Sequence, residues 1–185
     1  MQVYKTIIKE ALPILILCSF GGIIAGSIFK NISVYISVLP GILVLAPAVM
    51  SLTDAILGTF NSRITSAVHS GKIDMNSFSN PILRENILGV FTITIIISII
   101  LGIVAHFACL LFGYTSMGIP KFVLIAFLTH IFSYVFMILI SIFLIFLAVK
   151  AGKDPDDIVS PLSPVISDMA SMFFLLLTVK LITFM

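Results

Sequence analysis

Residues 154–184 read DPDDIVSPLSPVISDMASMFFLLLTVKLITF. From Ile158 to Phe184 the stretch is long and apolar enough to cross a bilayer core, which takes about 20 helical residues. It nevertheless holds Asp168 in its middle and Pro161 and Pro164 before it. Working outward, four more runs of this kind appear, at 11–29, 34–60, 87–112 and 122–149, with the last at 158–184. Such lengths specify helices, because barrel strands are shorter and alternate in polarity. The expected fold is an all-α integral membrane protein of five transmembrane helices, forming one domain over residues 1–185.

Composition agrees. The chain is 60% hydrophobic and 10% charged, against roughly 25% charged in soluble domains. A soluble enzyme is thereby excluded, and the bilayer is the first partner. A net charge of +2 with no basic block leaves no nucleic-acid surface. Cys18 and Cys109 both lie inside apolar runs and do not suggest a disulfide framework. The first run exceeds a signal peptide's apolar core, and no small-residue cleavage site follows it before Lys30.

Lys and Arg in short loops set orientation. Lys5, Lys9, Arg63, Lys72, Arg84, Lys150 and Lys153 make seven on one side, against Lys30, Lys121 and Lys180 on the other. The N-terminus is therefore expected in the cytoplasm and the C-terminus outside, with 61–85 as a cytoplasmic loop. No phosphate-binding glycine pattern occurs in that loop.

An ionisable group within a span costs about 2.5 kcal/mol or more and marks a functional site by default. Two acids lie well inside spans, Asp54 and Asp168. Asp168 is expected near the bilayer centre. Asp54, six residues before Phe60, is expected about 9 Å from the cytoplasmic end of the second helix. Asp157, Pro161, Pro164 and Asp168 share one helical face by their spacing. The two prolines cannot bond back, so the carbonyls of Asp157 and Ser160 lose their usual donors. Carboxylates and free carbonyls in a line are the hard oxygen ligands that Mg²⁺ and Ca²⁺ take. The second helix carries a matching stripe, Pro47, Ser51, Asp54, Gly58 and Asn61, small enough to admit a neighbouring backbone. The same acids also serve as interhelical hydrogen-bond partners in membrane bundles. Asp154, Asp156 and Asp157 also suit a solvated helix start, with Pro155 in its first turn.

Other residues carry less. His106 and Cys109 stand three apart without a third ligand, and His130 reads as a hydrogen-bonded interior residue. Gly22 and Gly26 form a close-packing signal in the first helix. No catalytic constellation and no cofactor ligand set stands out, so no enzyme and no cofactor is expected.

The segment 47–69, PAVMSLTDAILGTFNSRITSAVH, resembles the second helix of the MgtE and solute-carrier-41 magnesium transporters, where a proline-led segment runs through a Gly-Asn motif. The segment 154–168 is similar to that family's Asp-Pro-led fifth helix with its pore aspartate. The resemblance implies a homodimer with helices 2 and 5 lining a central cation pathway for Mg²⁺. It implies that Asp168 holds a largely hydrated ion, with the backbone carbonyl of Pro164 beside it. Asp157 and Asp54 then guide the ion toward the cytoplasm, and Pro47, Ser51, Gly58, Asn61, Ser160, Pro161 and Ser167 line the way. Two departures stand out: Asp54-Ala55 replaces the Gly-Asn pair, which implies an altered ion preference in the inner half, and the regulatory CBS domains are not expected here. A proton- or sodium-coupled carrier of another solute fits the same residues, with Asp168 as the coupling group, and so does a non-transporting membrane subunit.

Overall fold

A computed structural model describes residues 2–73 and 80–184, without the side chains of 2–7, 9–11 and 14. It is 88% helix, with no strand among the described residues. The helices are α1 (Gln2–Ser33), α2 (Ile42–His69), α3 (Pro81–Leu111), α4 (Ile119–Lys150) and α5 (Pro155–Phe184). All five are long and apolar enough to cross a membrane. The side chains of Lys5 and Lys9, used above for orientation, lie outside the described residues.

Two boundaries differ from expectation. The apolar run from Val34 is not continuous helix: a 3₁₀ turn occupies Val34–Ser37, and α2 starts only at Ile42. Pro40 supplies no N–H there, and Gly41 sits at φ 87°, a left-handed conformation costly for other residues. The polar stretch expected as a loop over 61–85 is helical at both ends. The second helix continues to His69 because Phe60, Ile64 and Ala67 keep a buried face while its other positions turn polar. It stops at Gly71, whose φ of 69° lets Gly71 N–H reach Val68 O at 3.0 Å and Lys72 N–H reach Ala67 O at 2.9 Å. The third helix then begins at Pro81, capped by Asn80, whose side chain accepts from Ile82 N–H at 2.9 Å. Residues 74–79 of the expected loop lie outside the described set.

At the centre stands α5, packed against α1, α2 and α4, while α3 covers α2 and α4. Two apolar clusters fill the bundle. One gathers Leu45, Val49, Phe122 and Met172, and the other Phe60, Ile64, Met137 and Ile145. Buried Thr53 and Thr94 return their hydroxyls to carbonyls one turn back, Val49 O and Val90 O, both at 2.8 Å. Desolvation of those hydroxyls is thereby offset within the helix.

The close-packing signal of α1 is displaced by one residue. Gly22 and Gly26 face open space, and Gly21 is the residue held tight, since a Cβ there would collide with Val165. Gly21 and Ala25 are buried where α1 lies on α5, and Cys18 Sγ donates to the Pro161 carbonyl at 3.3 Å. The i, i+4 rule was right in kind, but only packing against α5 shows which of two overlapping small-residue pairs is used.

Candidate cation pathway

Where α2 meets α5, the polar residues of both helices converge. Prolines 47, 161 and 164 sit inside continuous helices, so the carbonyls of Leu43, Asp157 and Ser160 lose their usual donors without a break in either rod. A groove of about 280 Å³ runs between the helices and is lined by Asp54, Gly58, Asn61, Ser160 and Pro164 from the expected set. Ser62, Asp156, Val159 and Ser163 complete it. Asn61 Nδ2 donates to Ser163 Oγ at 2.8 Å, a buried tie between residues 102 apart in sequence.

Because α2 continues to His69, Asp54 stands 15 residues, about 22 Å, from the end of the helix. At this depth it lies beside Ser167 and near Asp168 of α5. Asp54 Oδ1, Asn61 Oδ1 and Ser167 Oγ are buried and find no hydrogen-bond partner among the described residues. Asp168 is half-buried, and its backbone carbonyl accepts from Ser171 Oγ at 3.1 Å.

The remaining expected residues are placed outside this groove. Pro47 and Ser51 continue the exposed stripe of α2 above it, Pro161 is half-buried on the side that meets Cys18, and Asp157 is exposed. Its neighbour Asp156 takes the groove position instead. Asp154 caps α5 by accepting from Asp156 N–H at 2.9 Å, and its Oδ1 stands 3.2 Å from His69 Nε2. His69, Asp154 and Asp156 thus bring one ligand atom each within 4.8 Å of one another, all exposed.

Ser163 was missed by sequence reasoning. Its signal was present: Ser160, Ser163 and Ser167 fall at i, i+3, i+7, one face of α5. Its partner on α2 had no local signal. His106 and Cys109 do not form a ligand pair; His106 Nδ1 bonds Ser116 Oγ at 2.7 Å, and Cys109 is buried against the Gly41 turn. His130 Nδ1 bonds Ala126 O at 2.8 Å in the interior.

The arrangement offers acceptor oxygens and no fixed cation along an open groove on the outer side of the α2–α5 pair, which suits a hydrated cation. No curated protein matches the chain. The family model MgtE, divalent cation transporter, matches residues 46–178, from the α2 stripe to the buried part of α5. With five helices long and apolar enough to cross a membrane, the chain is a multi-pass membrane protein and belongs to the MgtE family of divalent cation transporters.

Proposed function

We propose that the chain carries Mg²⁺ across the cell membrane as a homodimer, through a pore lined by α2 and α5, with the N-terminus in the cytoplasm. The observation that carries this reading is the set of unpartnered acceptors, Asp54 Oδ1 and Asn61 Oδ1, in and beside a groove that holds no Lys or Arg. Mg²⁺ dehydrates reluctantly and usually keeps several waters. The outward hydrogens of those waters need acceptors, and carboxylate, amide and free carbonyl oxygens supply them.

Asp168 is the selective site in this reading. Across a two-fold axis two Asp168 carboxylates bring two negative charges to one divalent ion, and the Pro164 carbonyl adds an acceptor one turn away. Asp54, at a similar depth, strengthens the negative potential. Asp157 and Asp156 attract cations at the groove's cytoplasmic mouth, where Asn61, Gly58 and Ser160 form the walls. Pro47 and Ser51, exposed beyond the groove, and Ser167 beside Asp54 extend the lining in the dimer, whereas Pro161 lies on the side that meets Cys18. An inside-negative membrane drives a divalent cation inward by about 4.6 kcal/mol per 100 mV.

The test is Mg²⁺ uptake into proteoliposomes, with wild type beside Asp168→Ala. Uptake by the wild type and none above empty liposomes in a variant that stays folded is the expected result. Equal uptake removes Asp168 from the pathway. No uptake by a folded wild type overturns autonomous transport and favours the accessory-subunit or coupled-carrier reading.

A further inference from the structure

A second cavity, of about 450 Å³, opens between the last two turns of α2 and the start of α3. Its charged lining is Arg63 and Lys72, with Ser62, Ser66, Ser70 and Asn86 around them and no acid. Among the described residues neither cation is paired with a carboxylate. Neither is needed to cap α2, whose final carbonyls are already met by backbone donors: Ser66 O by Ser70 N–H at 3.0 Å, and Ala67 O by the N–H groups of Lys72 and Ile73. Two cations that line one concave surface, unpaired among the described residues and with hydroxyls beside them, make an anion's coordination set. A guanidinium fork fits two oxygens of a phosphate, and an ammonium adds a point charge.

Depth narrows the source of that anion. Arg63 is 21 residues past Ile42, about 31 Å along the axis, which is one hydrocarbon thickness. The cavity therefore opens at the level of lipid headgroups, where basic pockets between helices bind phosphorylated lipids. We propose that it is a binding site for a phosphate-bearing anion, held by Arg63 and Lys72 with the Ser62 and Ser66 hydroxyls as further donors; the Ser70 hydroxyl already donates to Ala67 O at 3.2 Å. The site adjoins the cation groove only at Ser62, and it does not depend on the transport reading or on the orientation.

The full chain in nanodiscs tests it in two arms. In the first, retention of phosphatidylglycerol against phosphatidylcholine is measured by native mass spectrometry. In the second, inorganic phosphate is added to phosphatidylcholine nanodiscs and the unfolding temperature is read. The wild type is expected to prefer the anionic lipid, with Arg63→Gln and Lys72→Gln each weakening retention roughly fivefold and the pair about thirtyfold. Arg63→Lys keeps the charge but loses the fork and should weaken retention less than Arg63→Gln does, and Arg84→Gln, an exposed cation outside the cavity, should match wild type. Stabilisation by phosphate alone, lost in the double variant, supports the same site with a soluble anion as its source. The proposal is overturned if the wild type shows no preference in either arm, if the double variant behaves as wild type in both, or if Arg84→Gln loses as much as Arg63→Gln.

Discussion

Asp54 is the residue whose chemistry changes most with its position. Near the end of a span a carboxylate is partly solvated and steers ions; at mid-helix Asp54 stands half-buried beside Ser167 and near Asp168. Its charge was legible at once, because an acid in an apolar run is rare. The length of helix beyond it was not, because hydropathy falls at Asn61 while the buried face of α2 continues to Ala67. Asp54→Asn keeps an acceptor oxygen but removes the charge. It should slow Mg²⁺ uptake less than Asp168→Ala does and shift the preference among Mg²⁺, Mn²⁺ and Ca²⁺ in competition assays. An unchanged ion profile would leave Asp54 as a packing residue.

Between elements, the α1–α5 contact shows how a motif is read differently by a neighbour. Two overlapping small pairs, Gly21/Ala25 and Gly22/Gly26, satisfy the same spacing, and α5 uses the first. Gly21→Val drives a branched side chain into Val165 and should lower stability in detergent by about 1–3 kcal/mol. Gly22→Val meets open space and should leave the thermal midpoint within error. Equal losses in both would mean that α1 lies on α5 in another rotation. The start of α2 follows similar logic: Pro40-Gly41 was visible in the sequence, but an apolar run on both sides hid the break that the left-handed Gly41 makes.

For the molecule as a whole, the polar stripe of α2 decides what a single copy lacks. Pro47, Ser51 and Gly58 are exposed on the outer side of the α2–α5 pair. Small and polar groups at mid-membrane are stable where they face protein or water rather than lipid. A second copy on this face is the arrangement the proposed pore requires. With Cys18 and Cys109 replaced, Ser51→Cys should give an oxidised dimer in native membranes, while Phe143→Cys, exposed on α4, should not. A ladder of dimers from both positions, or from neither, would sink the proposed interface. Orientation is tested separately: a membrane-impermeant maleimide should label Lys153→Cys only in inside-out vesicles and Thr115→Cys only in right-side-out ones.

Five helices were readable from the sequence because burial in lipid is a one-dimensional demand: each span must be apolar over about 20 residues, whatever its neighbours are. The acids and prolines were readable for the same reason, as local violations of that demand. Which faces meet was decided only in three dimensions. The Asn61–Ser163 bond, the seat of Gly21 on Val165 and the shared depth of Asp54 and Asp168 depend on residues about 100 or more positions apart. Packing selects among helix rotations that hydropathy treats alike, because lipid and a neighbouring helix are nearly equivalent apolar surroundings, and only steric fit and hydrogen bonding separate them.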